Sequence, residues 1–147
     1  MMIILKRIID LFFKHHKKYL NDKYAPAWKT IEFFTFGASL KLFASIKDEN
    51  INQVICNSYG IKRLYILQNF ISSVVFVRNM CAHGNVLYDL KQPKGIKPIP
   101  NKAYFFSNAH SLDASIKVIG FLLSKISINR EKDLQIKLSE KLNEIKK

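Results

Sequence analysis

Residues 78–83 read Arg-Asn-Met-Cys-Ala-His and follow directly on the apolar run Phe-Ile-Ser-Ser-Val-Val-Phe-Val. Histidine titrates near neutral pH and can move protons. Arginine can hold a phosphate through two parallel hydrogen bonds and offset charge that develops in a transition state. Asparagine can orient the histidine or a phosphate oxygen. Arg78, Asn79 and His83 together suit cleavage of RNA without a metal, an adjacent ribose 2′-hydroxyl serving as nucleophile. The competing reading is a polar helix end, with His83 as an ordinary C-terminal residue. On a helix Asn79 and His83 share a face, but Arg78 lies roughly 140° round the axis from His83. One ideal helix does not aim both at the same atom. They converge if the helix ends or bends between them, which Gly84 would allow, or if two copies of the helix meet across a two-fold axis.

The elements that must position these residues read as helices. Gly and Pro number only five and four, so few turns are punctuated. Residues 3–20 carry an apolar stripe at spacings of three and four, followed by the basic stretch Lys14–Lys18. A core-facing helix is the preferred reading there, a membrane-surface helix the alternative. Pro26 suits a first helical turn, and a helix is expected from there to Ile46 with Gly37 inside it, an expense that close approach of another helix would offset. Asp48 could cap a short helix that stops at Gly60. A long helix is predicted over 61–82, with Leu64, Leu67, Ile71, Val74, Val75 and Val77 on its apolar face. The β-branched run inside it could be read as a strand, but the flanks keep the helical period. Residues 91–106 form a basic loop, with three of the four prolines between 91 and 102. A further helix follows over about 107–126, with Ser107, Asn108 or Ser111 as possible caps, and a charged helix over 129–147 closes the chain.

At 147 residues the chain is the size of one domain, and 48% hydrophobic residues suffice for a real core. The net charge of +13 sets 24 Lys and Arg against 11 acids. Such an excess attracts polyanions, either nucleic acid or anionic membrane, although lysine written at every solvent position gives the same count. Cys56 and Cys81 stand 25 positions apart with no Cys-x-x-Cys pair, which excludes a zinc ribbon or redox motif. The two cysteines are expected as free thiols of a cytoplasmic protein. Lys6, Arg7 and Asp10 interrupt the apolar N-terminus, which is too short to span a bilayer, so no stable membrane insertion is expected. No four-ligand metal set can be assembled, and no cofactor is expected. Cys81 and His83 lie about 200° apart on a helix, so Cys81 is read as a buried structural residue. His15 and His16 cannot face one metal; with Lys14, Lys17 and Lys18 they form either a solvated or an RNA-contacting patch. His110 reads as a surface or cap residue. Trp28, Phe33, Phe34 and Phe36 read as core.

The segment Pro-Ala-Trp-Lys-Thr-Ile-Glu-Phe-Phe-Thr-Phe-Gly, followed about 35 residues later by Arg-Asn-Met-Cys-Ala-His, resembles the bacterial abortive-infection (Abi-like) family. That family pairs a Pro-x-Trp segment and a Phe-Gly helix with an Arg-Asn-x-x-Ala-His signature, and the resemblance spans roughly residues 20–125. Abi-like proteins belong to the HEPN superfamily of all-helical domains, marked by Arg-x(4–6)-His; here that pattern falls on Arg78 and His83. The resemblance implies a metal-independent endoribonuclease whose two copies join their motifs into one site and leave a 2′,3′-cyclic phosphate. By this likeness His83 is the general acid or base, Arg78 the phosphate clamp and Asn79 the orienting residue. Where many members carry further polar residues and an arginine after the histidine, this chain has Gly84, Asn85 and Val86; Lys91, Lys94 or Lys97 could stand in.

The expectation is therefore one all-α domain over 1–147, a compact HEPN-like bundle of five or six helices that forms a homodimer with a composite active site. Its proposed partner is RNA, contacted by Tyr88, Lys91, Lys94 and Lys97, with Tyr88 stacking on a base. The implied role is an RNA-cleaving effector of phage defence, in an abortive-infection or toxin–antitoxin system, restrained by an antitoxin or other inhibitor. The rivals are a non-catalytic HEPN domain that binds RNA or a protein, and a membrane-surface protein working through residues 3–20.

Overall fold

A computed structural model describes Asp10 and residues 13–22 and 34–145. The described residues fall into two compact units, one within Met1–Phe43 and the other within Ala44–Lys147. All their α- and 3-10 structure is helical and none is strand, so the protein is all-α and its second unit is a helix bundle. The readings of Pro26, Trp28 and Phe33, and of most of the helix over 3–20, lie outside the described residues.

In the first unit residues 13–18 are helical. Nε2 of His15 lies 3.1 Å from Oδ2 of Asp22, and the ring is buried. Burial takes His15 out of the surface patch, because an imidazole withdrawn from water needs a partner, and Asp22 supplies one. Lys14, Lys17 and Lys18 stay exposed. Helix α1 covers Phe36–Ala44. Thr35 caps it, its Oγ1 accepting from the Ala38 N–H at 3.1 Å, so the helix expected from Pro26 to Ile46 does not run unbroken through residues 34 and 35. Gly37 therefore sits in the first turn, and among the described residues nothing lies within 4 Å of where its Cβ would be. Phe34 and Phe36 are partly exposed, which overturns their reading as core.

The second unit opens with α2, Glu49–Ser58, capped by Asp48 as expected: its carboxylate accepts from the Asn50 and Ile51 N–H groups. The helix stops at Gly60 (φ +67°). The N–H groups of Gly60 and Ile61 return to the carbonyls of Asn57 and Cys56 at 2.9 and 3.0 Å, the paired bonds of a Schellman stop. Ile61 is thereby tucked into the core at 1% exposure. Helix α3, Leu64–Ala82, contains the β-branched run, so the helical reading holds and the strand reading falls. After a loop and a single 3-10 turn at Lys102–Tyr104 come α4, Leu112–Ile126, and α5, Ile128–Ile145. Ser111, one of the three candidate caps, begins α4 by accepting from the Ala114 N–H at 3.1 Å. Only Ser127 separates α4 from α5, and its extended backbone turns the chain between them.

The core lies between α3 and α4. Leu67, Phe70 and Val77 meet Ala114, Val118 and Phe121, all buried. Phe70 and Phe121 pack edge to face at 6.0 Å, and Tyr104 packs on Phe121 at 5.8 Å. Fully burying a side chain of this size contributes about 2–3 kcal/mol. Gly120 makes room for Tyr104: an added Cβ there would meet the Tyr104 ring at 3.1 Å. Of the apolar positions on α5, Leu134 and Leu138 are half-buried, whereas Ile136 and Leu142 are exposed.

One polar cluster interrupts this core. Nε2 of Gln92 donates to Ser115 Oγ at 2.8 Å and to Ser73 Oγ at 3.0 Å, and all three residues are buried. Gln92→Leu should destabilise the protein by roughly 1–3 kcal/mol, since two buried hydroxyls lose their donor. Adding Ser73→Ala and Ser115→Ala should recover part of that loss, because no polar group then remains unpaired. Urea denaturation of the single and triple variants measures both effects; equal stability of the two would show that the cluster is not coupled.

Candidate functional site

Helix α3 carries the Arg-Asn-Met-Cys-Ala-His segment through its last turn and ends on it. His83 is the C-cap (φ −96°, ψ 9°), and Gly84 follows in the left-handed region (φ +66°). The Gly84 N–H returns to the Cys81 carbonyl at 3.1 Å and the Asn85 N–H to the Met80 carbonyl at 2.9 Å. This is a second Schellman stop. The expected helix end at Gly84 is present, and it falls after His83, so no bend separates His83 from Arg78.

Arg78, Asn79 and His83 are all exposed. The Arg78 guanidinium donates through Nη1 to Asn79 Oδ1 at 3.1 Å. Asn79 thus orients the arginine through its side chain, while its carbonyl accepts the His83 N–H at 3.0 Å. The Arg78 side chain bonds to Asn79 and not to His83, in keeping with the angular separation of Arg78 and His83 on a continuous helix. The helix C-terminus is the end where partial negative charge collects. A phosphate does not come there unaided, and a cation such as Arg78 is required to hold it.

Two sulfur-bearing residues separate the motif positions. Met80 is half-buried and its sulfur accepts from Asn85 Nδ2 at 3.5 Å. Cys81 is exposed, which corrects its reading as a buried structural residue. The buried stripe of α3 runs Leu67, Phe70, Ser73, Val77 and passes to Met80, so Cys81 falls on the open side. Cys56 is the buried thiol, and burial pushes its pKa up.

Beyond the helix, Tyr88 stands almost wholly in solvent at 90% exposure. Asp89 follows with φ +59°, a left-handed conformation that turns the chain back, and Leu90 is buried. The basic loop is not loose: it is strapped along α3. Gln92 reaches Ser73, the Gly95 carbonyl accepts from Asn69 Nδ2 at 3.1 Å, and the Lys97 N–H donates to Asn69 Oδ1 at 2.9 Å. The strap is tied equally to the segment before α4. Its Gln92 and Ile96 N–H groups donate to the carbonyls of His110 and Ala109, and Gln92 O lies 2.7 Å from His110 Nδ1. His110 is an exposed residue, as expected.

This strapping places the lysines. Lys91, Lys94 and Lys97 are exposed on a segment that runs back beside α3, from the level of Ser73 to that of Asn69. They form a line leading away from Arg78, not a ring around it. Nine residues of helix separate Asn69 from Arg78, about 14 Å. Sequence reasoning missed Asn69 and Gln92, the residues that hold the line. Both are ordinary polar residues, and only the fold gives them partners. Among the described residues no three His, Cys, Asp or Glu gather to hold a metal ion, and no helix is long and apolar enough to cross a membrane.

A family model described as Abi-like protein matches residues 3–89, more than half of the chain. The protein therefore belongs to the Abi-like, abortive-infection family. The match begins earlier and ends sooner than the resemblance read from the sequence. It takes in Arg78, Asn79, His83 and Tyr88 and stops short of the three lysines. No curated protein and no solved structure matches the chain.

Gly84→Ala should cost about 1 kcal/mol of stability, all of it from the left-handed backbone, because an added Cβ meets nothing within 4 Å. Gly84→Asn should cost less, since asparagine tolerates that region; denaturation midpoints rank the two. In the native protein a thiol reagent should modify Cys81 promptly and Cys56 only on unfolding, because only the thiolate reacts and Cys56 is shielded and less acidic. Peptide mapping after timed labelling reads the order, and prompt labelling of Cys56 would refute it.

Proposed function

We propose that this member of the Abi-like family is a metal-independent endoribonuclease of the HEPN type, an effector of phage defence working by abortive infection or as a toxin restrained by an antitoxin. The observation that carries the reading is the Arg78–Asn79–His83 segment, exposed on the final turn of α3 and inside the family match. Arg78, already oriented by Asn79, clamps the scissile phosphate. His83 takes the proton from the ribose 2′-hydroxyl, or donates one to the leaving 5′-oxygen. The 2′-oxygen attacks phosphorus, the P–O5′ bond breaks, and a 2′,3′-cyclic phosphate remains.

Within one chain Arg78 and His83 diverge, so a site that uses both is best made by two chains. In a homodimer the Arg78 of one copy and the His83 of the other can face one phosphate. Tyr88 would stack on a base, and Lys91, Lys94 and Lys97 would follow the backbone of the bound strand. Such binding is salt-dependent, since each phosphate contact releases counterions.

Purified protein should cleave RNA in the presence of EDTA and leave cyclic phosphate ends. His83→Ala and Arg78→Ala should each lower the rate by at least about a hundredfold, the usual worth of positioned proton transfer or charge stabilisation. Lys91→Glu with Lys94→Glu should weaken RNA binding and flatten its salt dependence. Cleavage and cell toxicity that persist in His83→Ala would defeat the enzymatic reading. Unchanged RNA binding by wild type and His83→Ala, with cleavage by neither, would replace it with a binding module.

A further inference from the structure

Helices α4 and α5 form a hairpin closed by one residue. Gly120 and Gln135 lie on either side of Ser127, and an added Cβ at Gly120 would meet Gln135 Nε2 at 3.4 Å, so the two helices run antiparallel against each other. Helix hairpins ordinarily spend about two to five residues on such a turn. Here Ser127 alone is extended (φ −159°, ψ 113°). Helical hydrogen bonding reaches it from both sides: its N–H donates to the Leu123 carbonyl at 2.7 Å, and its carbonyl accepts the Glu131 N–H at 3.1 Å. Returning this one residue to helical angles would join the two helices into one over 112–145, about 51 Å long. The corner leaves the carbonyls of Ser124, Lys125 and Ile126 and the N–H groups of Ile128 and Asn129 without helical partners, facing a notch that these residues line. In a straight helix the N–H groups of Ile128, Asn129 and Arg130 would bond those three carbonyls.

The face of α4 that carries Gly120 and the face of α5 that carries Leu134 and Leu138 are in register across the corner. Gly120, Ser124, Ser127, Glu131, Leu134 and Leu138 follow at spacings of four, three, four, three and four. On a straight helix they all lie within about 40° of one line, the repeat of a coiled pair. In the hairpin Gly120 is buried, and Ser124, Glu131, Leu134 and Leu138 are half-buried. Straightening would lay this whole stripe bare along one side. A second straight copy, antiparallel and crossing at Ser127, covers it with the same residues. Gly120 of one chain then meets Gln135 of the other, and the contact within one chain becomes the contact between two. Charge does not oppose the exchange. Helix α5 carries four bases and four acids, so the whole excess of +13 lies outside it. The closed and exchanged forms share their α4–α5 contacts and differ at Ser127, the circumstance in which identical chains swap an element.

We infer that two copies of this chain exchange α5, residues 112–145 of each running as one helix and each α5 packing on the α4 of the other copy. The helical bonds gained at the two corners favour the exchanged form. The entropy lost in joining two chains favours the hairpin, so protein concentration sets the balance. Passing from one form to the other requires α5 to leave α4, so the two forms interconvert slowly once the chain has folded. The exchange rests on α4 and α5 alone and holds whether or not the protein cleaves RNA.

The test refolds the full chain from urea at low and at high concentration and reads its mass by size exclusion with light scattering. A dimer should form at high concentration and persist on dilution. Pulsed EPR then reads its internal geometry from spin labels on Asp113→Cys and Lys141→Cys, both at exposed positions, in a Cys81→Ser background labelled in the native state, where Cys56 is buried. Labelled chain is refolded with an excess of unlabelled chain, so that only the distance within one chain is measured. The straight helix of the dimer should hold the labels about 42 Å apart. The hairpin monomer, its helix axes about 8–10 Å apart, should give less than about half of that. Ser127→Ala removes the Oγ that accepts the Arg130 N–H at 3.4 Å and favours helix at the corner, so it should lower the dimer dissociation constant at least about tenfold. Two glycines inserted after Ser127 should abolish the dimer, since a longer turn closes the hairpin freely and breaks the straight helix. A chain that stays monomeric at both concentrations overturns the inference. So does a dimer whose labels keep the short distance, or a dimer fraction that the glycine insertion leaves unchanged.

Discussion

Gln92 sits where an apolar side chain would be easier to bury, and its amide decides how the second unit goes together. It places one N–H on Ser73 of α3 and the other on Ser115 of α4, at the middle of the interface those helices share. Apolar contacts alone would hold the helices at many offsets of nearly equal energy. A buried amide has two donors at fixed angles, and only one register satisfies both. The same residue is joined through its backbone to His110, so the strap, α3 and the entry to α4 are fixed by one side chain and one peptide group. Leu90 and Ile96, buried on either side, supply the apolar anchors. The positions of Lys91, Lys94 and Lys97 follow from that attachment.

The two ends of α3 are finished in different ways, and the difference bears on chemistry. The C-terminal end is closed, with the Gly84 and Asn85 N–H groups satisfying carbonyls of the last turn. The N-terminal end is open, with no side chain accepting from its free N–H groups. A closed negative end repels phosphate and needs an arginine to hold one. An open positive end attracts phosphate through the backbone itself. One helix is thus closed by backbone hydrogen bonds at one end and left uncapped by side chains at the other.

Much of this organisation was legible in the sequence. The caps at Asp48 and Ser111, the stops at Gly60 and Gly84, and the helical period of the β-branched run are local rules, and local rules can be read from neighbours in the chain. The candidate segment was legible for the same reason, since six adjacent residues carry it. The rest needed the fold. Cys81 was misread because spacing alone does not say whether a buried stripe passes from Val77 to Met80 or to Cys81. The loop at 91–102 was legible as basic but not as strapped to α3, because its anchors, Asn69 and Gln92, are distant in sequence from what they hold.

The divergence of Arg78 and His83 also constrains what a composite site must supply. The helix runs unbroken from Arg78 to its cap at His83, so the angle between them is set by backbone hydrogen bonds and not by side-chain choice. Rotating either side chain cannot remove a separation of roughly 140°. Two helix ends brought together would also bring together two concentrations of negative partial charge, and that approach is favourable only if cations lie between them. Arg78 of each chain is such a cation, already turned toward Asn79 and held on the helix surface. A polyanion bound across the pair would then neutralise both arginines at once. In the proposed dimer, assembly and substrate binding would accordingly support each other, each reducing the charge that opposes the other.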